Sequence, residues 1–586
     1  MLQKLLTFLV LILFVSVGFV NSKDDRTLRT HKVSDGSEIY DNTNNYQPHF
    51  TQRNYPPVKG ANLTYTFHPT GVFTVYDLQS NGVPNEIWQD PLTPTNVHAT
   101  FMYSTVAGFA TRACAYMFSN DAGATWTFLG DVPATGRSGF PSISGLSNGA
   151  AVIANHNNTN GTTTRAKVNY DAGAGFGVFT EIDPGDAPDG QSIWPRVVGI
   201  GSDKVVMSTS INGQVKSYTN AGTNIAPPGT FSGFVEFPGD QAETYALSVA
   251  PNGTIGHAFI GAGDGVNDND VFYRFSTDNG VTWSTPNKIW DWNEATDSLG
   301  CLRGVSMVFG NNNEPYVAFN ISVLTAAGFF PGLPSSIRLW SPAVNGGVPV
   351  IMADQSTVPF FPNQGSTSDA FLPLCRPSIG RSSTGGGLYC AYLATTGQYG
   401  SDTSAYYAVW FSHSENNGST WSTPERVTPA TPLRDWRFVS VSQVNNVDAG
   451  SALVQMMVQD DSLAGTHVNG APIGNGQAVG IRTLVPLTGI TNISSNVPAD
   501  YSLSQNFPNP FNPTTNIRFD IRKTSNVTLK VYNSNGQEVA TLVNNEVVTP
   551  GTKEVTFIGN NLSSGVYFYT LFAGDFKETK KMMLIK

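Results

Sequence analysis

Charge is scarce in this chain. Asp, Glu, Lys and Arg make up 13% of the 586 residues, and 43 acidic residues outnumber 33 basic ones, for a formal net charge of −10. With no basic run, little affinity is available from counterion release at a nucleic-acid backbone, and electrostatic docking on anionic lipid is equally disfavoured. Helical periodicity is missing over any useful length, which excludes a bundle. Cysteine is limited to Cys114, Cys301, Cys375 and Cys390, none in a C-x-x-C pair, so a zinc ribbon is excluded. No P-loop, dinucleotide fingerprint or Ser-His-Asp arrangement stands out. Beyond residue 22 no apolar stretch reaches the roughly 20 residues of a spanning helix.

What is abundant is turn and strand material: 58 Gly, 36 Pro and 11% aromatics. That composition suits short strands and tight turns. Residues 1–22 read as a signal peptide: Lys4 gives a positive start, Leu5–Val20 is nearly all apolar, and Val20-Asn21-Ser22 ends small before the polar Lys23-Asp24-Asp25-Arg26. Export places the four cysteines in an oxidising compartment, where three full pairings or buried free thiols are the alternatives. Residues 23–60 read as a flexible lead-in, 61–485 as one uniform body of short apolar runs broken by Gly, Asn, Asp and Pro, 486–500 as a linker and 501–586 as a separate unit.

One local pattern recurs in the body. It appears as Ser119-Asn120-Asp121-Ala122-Gly123-Ala124-Thr125-Trp126 and again as Ser276-Thr277-Asp278-Asn279-Gly280-Val281-Thr282-Trp283. A third copy, Ser414-Glu415-Asn416-Asn417-Gly418-Ser419-Thr420-Trp421, has Asn for Asp, and a degenerate fourth runs from Asn169 through Asp171 and Gly173 to Phe176. The Asp or Asn accepts nearby backbone N–H groups, Gly takes a positive φ, and the aromatic tucks against the sheet. The pattern resembles the Asp-box (BNR repeat) of sialidases and other β-propellers. The resemblance implies an all-β propeller and gives the boxes a structural role on its rim.

Paired apolar strands separated by turns support the same architecture. Pro141-Ser142-Ile143, Pro195-Arg196-Val197, Leu247-Ser248-Val249, Val305-Ser306-Met307, Pro377-Ser378-Ile379 and Val439-Ser440-Val441 each open such a pair. With an initial blade around 72–129 the count is seven; six follow if one pair is an insertion. Leu63–Phe67 is the candidate closing strand, beside Ala478–Leu484, because an open ring leaves a pairing edge. Cys301 and Cys375 then precede neighbouring inner strands and are one conceivable bridge; Cys375–Cys390 is the rival.

The tail opens with Phe507-Pro508-Asn509-Pro510-Phe511-Asn512-Pro513, continues in strand-like runs, carries Gly565-Val566-Tyr567 and ends in a Lys-rich strand. It resembles the C-terminal sorting domain of type IX secretion substrates, which implies a small β-sandwich, recognition by that secretion machinery, and release from or attachment to the outer surface of a Gram-negative cell.

Propellers gather ligands where the inner strands begin. Arg196, Arg303, Arg376 and Arg437 stand at four of those positions, with Trp194 and Trp436 beside them, as candidate ligand-binding residues. Acids Asp189, Glu243, Asp297 and Asp435 accompany them. Sialidases grip a carboxylate with three arginines and pair a Tyr nucleophile with a Glu base and an Asp acid. The resemblance therefore makes Glu243, Tyr245 and Asp297 catalytic candidates, with Glu243 and Tyr245 on one strand face. The sialidase Phe/Tyr-Arg-Ile-Pro motif is missing before Asp121, and only Arg112 precedes that box in the first blade. The expectation is a secreted or surface protein that binds an extracellular glycan or other polymer; a sialidase-like hydrolase is the alternative. Asp264, Asp268 and Asp270 are candidate calcium ligands on one loop; no other cofactor is expected. His98, His156, His257 and His413 read as structural or exposed.

Overall fold

The computed structural model describes residues 50–586 apart from 80–81, 107–110, 160–162, 213, 215, 224–228, 240–242, 262–268, 326–327, 363–370, 449–450, 488–490, 495 and 560–561. The expected signal peptide lies outside the described residues, as do Asp264 and Asp268. Among the described residues no helix is long and apolar enough to cross a membrane.

The body is a seven-bladed β-propeller. Seven sheets, antiparallel but for a short parallel pairing of Leu374–Ser382 with Val444–Asn445, follow one another along the chain, with inner strands Ile87–Gln89, Ser138–Gly145, Ser192–Ile200, Tyr245–Val249, Val305–Phe309, Leu374–Ser382 and Asp435–Val441. Middle strands are buried on both faces: every residue of Ala151–Asn157 and of Ile255–Gly261 is buried. A neighbouring blade covers each face, so these strands read as continuous apolar and small residues rather than an alternation.

The ring closes with strands from both ends of the body. Thr64–Thr74 pairs antiparallel with Gly476–Pro486, from Tyr65 opposite Thr483 to Thr74 opposite Gly476. The lead-in is docked from about residue 53 onward, earlier than the sequence indicates. Arg53 Nε donates to Asp460 at 2.8 Å, and Tyr55 packs edge-on against Trp436 at 5.1 Å. That packing buries Trp436 completely, which removes it from any ligand surface.

Serine hydroxyls lace adjacent inner strands together. Ser142 Oγ accepts from Val197 N–H of blade three, Ser248 from Phe309, Ser306 from Ile379, Ser378 from Val441, and Ser440 from Glu86 of blade one. A small hydroxyl suits this crowded axis, where a longer polar side chain has no room.

The three Trp-ended turns share one geometry. Ser119 Oγ accepts from Gly123 N–H at 2.8 Å and Asp121 Oδ1 from Thr125 N–H at 2.9 Å; Ser276 and Asp278 repeat this at 2.9 and 2.9 Å, Ser414 and Asn416 at 3.0 and 3.0 Å. Gly123, Gly280 and Gly418 have φ of 78°, 85° and 77°. Each glycine also presses on the preceding blade: a Cβ on Gly280 would lie 2.3 Å from Val206. The tryptophans follow suit. Trp126 packs on a cluster with Met457 and Ala478 of blade seven, Trp283 on one with Val198 and Val206 of blade three, Trp421 on one with Val308 and Tyr316 of blade five. The turn is therefore a peg between blades as well as a hairpin staple.

The fourth copy departs from this geometry. Asp171 is buried and accepts from Gly177 and Val178 N–H and from Tyr116 of blade one, and Gly173 has no positive φ. Asn169 replaces the serine and sends its amide to the Ile153 carbonyl, so nothing holds a box turn together.

The four cysteines are buried and none is bridged to another, so neither conceivable bridge forms; Cys301 Sγ donates instead to the Gly304 carbonyl at 3.7 Å. The tail is a β-sandwich of two four-stranded sheets. Its strands alternate, as in Thr514–Ile521, and a single core includes Phe519, Leu529 and Tyr569.

Candidate functional site: a plugged axis and an off-axis cleft

Six inner strands begin with one backbone device. Phe140, Trp194, Glu243, Arg303, Arg376 and Phe438 all have φ between 51° and 66°. A left-handed conformation costs a non-glycine residue on the order of 1 kcal/mol. In four of these strands a register break falls at this point: between Gly139 and Ser142, Ile193 and Arg196, Cys375 and Ser378, Arg437 and Ser440. Such a bulge re-aims a side chain that regular pleating would point into the blade. In blade four the left-handed residue, Glu243, stands ahead of an unbroken strand, so Glu243 and Tyr245 do not share an extended face.

On the axis the re-aimed side chains hold a piece of the chain itself. Residues 82–86, leading into blade one, touch five other blades. Gly82 N–H donates to Glu243 and its carbonyl accepts from Arg376 Nη1 at 2.9 Å. The Val83 carbonyl accepts from Arg196 Nη2 at 2.9 Å, while Arg196 Nη1 pairs with Glu243 at 2.8 Å. Asn85 reaches Ser142, and Glu86 N–H reaches Ser440. A segment bonded to blades two, three, four, six and seven lies in the central channel, and about 20 Å³ remains below it, room for about one water. The Glu86 carboxyl is fully buried with no hydrogen-bond partner; burial pushes its pKa well above the usual range, Arg196 opposing and Glu243 reinforcing.

Two of the arginines expected to grip a carboxylate, Arg196 and Arg376, thus grip the plug, and Arg437 grips Asp435 and the Ala405 carbonyl. Arg196, Arg303, Arg376 and Arg437 are 3%, 6%, 4% and 1% exposed. Arg376 and Arg437 lie over the Phe371 ring at 3.6 and 4.8 Å, and Arg437 Nε donates to Asp435 at 2.5 Å. Two of the catalytic candidates, Glu243 and Tyr245, lie together, and Asp297 lies apart from them. Glu243 and Tyr245 are buried, and the Tyr245 hydroxyl donates to the Trp194 carbonyl at 2.6 Å; Asp297 is exposed in a loop, where it caps Leu299 N–H. Asp270, the described member of the calcium candidates, is buried, pairs with Lys288 and accepts from Trp292 N–H. Among the described residues no group of three His, Cys, Asp or Glu is placed to hold a metal.

Off the axis, on the face where inner strands begin, a cleft of about 660 Å³ opens over blades two and three. The bulges of those blades deliver Phe140 and Trp194 into it, and Arg112, Arg137, His156 and Asp189 complete its walls. Arg112 is fixed: its guanidinium lies over Phe140 at 5.1 Å and Tyr76 at 5.8 Å, Nε donates to the Ser138 carbonyl and Nη2 to His156 Nε2 at 3.2 Å. Burial, then the Arg112 and Arg137 charges, hold His156 well below its ordinary pKa, so it is neutral. Asp189 pairs with Lys216 at 2.6 Å and takes a hydrogen bond from Tyr218; these two partners hold its pKa below the usual range. Sequence reasoning placed Trp194 and Asp189 near a site but missed the cleft. Arg112, Arg137 and His156 lie far apart in unrelated segments, and His156 read as structural. Among the other histidines, His98 is buried against Tyr116, His257 against Arg274, and His413 faces Glu415.

Fold and site together define a β-propeller with an inlet-face cleft, joined to a sandwich tail. Residues 505–586 match the family described as the secretion system C-terminal sorting domain. That domain is present, and it marks the chain for secretion, with a cell-surface or extracellular destination. No curated protein matches the sequence. Similar solved structures include the polysaccharide lyase Uly1, 11% identical over 78% of this chain and 99% of that one, with a TM-score of 0.38. The α-L-arabinofuranosidase Arb93A of Fusarium graminearum is 12% identical over 63% and 98%, with a TM-score of 0.35. The endosialidase of phage phi92 is 11% identical over 82% and 76%, with a TM-score of 0.34. The seven sheets, rather than these likenesses, carry the fold assignment.

Proposed function

We propose that this is an Asp-box propeller exported by the type IX secretion machinery, and that it binds an extracellular glycan in the cleft over blades two and three. The cleft itself carries the reading. The cleft is lined by the rings of Phe140 and Trp194, which show only 1% and 2% of their surface, and by the exposed side-chain amides of Gln191, Asn212 and Gln214. That mixture suits a sugar, whose ring faces are apolar and whose edge is a rim of hydroxyls. Left-handed Phe140 and Trp194 support it, since backbone strain of this kind concentrates at working sites.

Binding is favoured over a sialidase-like hydrolysis on the axis, because Arg196 and Arg376 there are engaged by residues 82–83 and Arg437 by Asp435, and because Asp297 stands in an exposed loop apart from the buried Glu243 and Tyr245. The test is a glycan array with the purified chain, repeated with Gln191→Ala and Asn212→Ala, both exposed positions. The expected result is binding that weakens in both variants. An array with no binder refutes the reading, and release of a reporter from sialosides would replace it with the hydrolase.

A further inference from the structure

The two outward faces of the tail sandwich differ in kind. On the sheet that contains Thr514–Ile521 and Gly551–Ile558, outward side chains satisfy one another across the strands: Arg518 Nε donates to Glu554 at 2.5 Å, Thr552 Oγ1 to Asp520 at 2.7 Å and Thr556 Oγ1 to Asn516 at 2.9 Å. On the other sheet Leu529, Tyr569 and Met582 point into the core, and the alternate residues form outward rows. Thr528, Phe572 and Lys577 make one row, Lys530, Thr570 and Thr579 the next, and Tyr532, Phe568 and Lys581 the third. Val566 opposite Met583 extends the face, and Met583 is 39% exposed. A solvated sheet face ordinarily turns polar at its outward positions, yet on Gly565–Ala573 three of the four, Val566, Phe568 and Phe572, are apolar and half-buried.

Charge follows the same division. Lys530 is paired with Glu538 at 2.9 Å, but among the described residues no acid pairs with the ammonium of Lys577 or Lys581, both of them exposed. Lys577 lies over the Phe572 ring at 5.2 Å. We propose that this aromatic and lysine face is where the export apparatus reads the tail, through a protein surface that offers carboxylates to Lys577 and Lys581 and apolar side chains to Phe568, Phe572 and Met583. This rests on the type IX reading above and names the contact which that reading needs. A second copy of the tail is a poor occupant. Residues 501–586 hold nine basic and six acidic residues, so face against face opposes like charge. The opposite sheet is a poor alternative, because a partner there must break a closed ladder of hydrogen bonds before it gains any. Phe576–Leu584 is also an edge of its sheet, so both lysines can be approached from the side as well as from above.

Lys577→Glu with Lys581→Glu is made in the full chain and expressed in a bacterium that has a type IX apparatus. The share of chain reaching the medium and the cell surface is expected to fall about tenfold, with the retained chain melting as the native one does. Should the two glutamates lower the melting temperature, Lys577→Gln with Lys581→Gln takes their place. Lys577→Arg with Lys581→Arg keeps the positive charge and is expected to keep export; Arg518→Gln, on the opposite sheet, is expected to leave it unchanged. A chain ending at residue 500 tests the export reading itself. If that chain is retained while the glutamate pair is exported like the native chain, or if Arg518→Gln lowers export as far, the face is wrong and export through the tail stands. If the chain ending at residue 500 leaves the cell as readily as the native one, both readings fall. Native chain that sediments with phosphatidylglycerol vesicles, and ceases to do so in the glutamate pair, would replace the protein partner with a lipid surface.

Discussion

The guanidinium of Arg376 donates to the carbonyl of Gly82 at 2.9 Å, joining residues 294 positions apart at the centre of the ring. Through this bond and its Arg196–Val83 counterpart, a stretch of backbone occupies the place where a propeller usually receives its ligand. The plug also supplies the sharpest mutational tests.

Gly82 has no room for a side chain, since a Cβ there would come within 2.2 Å of the Glu243 carbonyl oxygen. Gly82→Ala must push the plug or the Glu243 backbone aside. A loss of roughly 1–3 kcal/mol is expected in urea unfolding, in the range of other overpacked cores. An unchanged midpoint would mean that residues 82–86 do not sit on the axis.

Glu243 is the buried counter-ion of Arg196. Glu243→Ala leaves that guanidinium uncompensated and is expected to cost about 3–5 kcal/mol, more than Gly82→Ala. Pairing it with Arg196→Met is expected to recover much of the loss, which a double-mutant cycle measures directly.

Glu86 works in the opposite direction. Its carboxyl is held protonated by burial, so the folded state keeps a proton that the unfolded chain releases near pH 4 to 5. Stability is then present in full below that range and declines as pH rises toward the folded-state pKa. Glu86→Gln is expected to raise the unfolding midpoint at pH 7 and to reduce this decline; equal pH profiles for the two proteins would contradict the burial.

The Asp278 turn shows the usual carboxylate sign. Hydrogen bonds from Thr282 hold its pKa down at about 2, so its contribution is present above pH 4 and is lost as pH falls through 2. The blade-six turn keeps the backbone bond, Thr420 N–H to Asn416 Oδ1, and reverses the side-chain one, with Asn416 Nδ2 donating to Thr420 Oγ1. Asp278→Asn is therefore expected to be near neutral at pH 7 and less acid-sensitive than the wild type. Asp278→Ala is expected to lose about 1 kcal/mol. Melting curves between pH 2 and 7 separate the three proteins.

The four thiols offer a structural check. Burial pushes Cys114 and Cys301 up to about 12, and all four are shielded. A thiol reagent is expected to label none of them in the native protein and four per chain after denaturation.

Much of this architecture is legible in the sequence because it depends on local chemistry. Ser-x-Asp-x-Gly-x-Thr-Trp folds a turn whatever surrounds it, and the failure of the fourth copy traces to Asn169 in the serine position. The closing strand was readable because Tyr65 and Phe67 needed an apolar partner and Ala478–Leu484 needed an edge. The arginines at the inner strands were found too, but not their partners. Gly82-Val83-Pro84 looks like any loop before a first blade, and nothing in it announces contact with Arg196 or Arg376. The cleft was hidden for a related reason. It is made by bulges that turn Phe140 and Trp194 out of the sheet, and a pre-proline residue gives no clear sign of a left-handed conformation.

The strand Thr64–Thr74 finds its partner only in Gly476–Pro486, so one hydrogen bond of the seam, Thr66 to Arg482, spans 416 residues. Closing so large a loop is entropically slow, and it waits until the last blade exists. Until residues 476–486 have been made, the leading strand is therefore a bare edge with no native mate. The ring becomes a ring in one late event, and any chaperone that attends this protein has that single unpaired strand to guard until then.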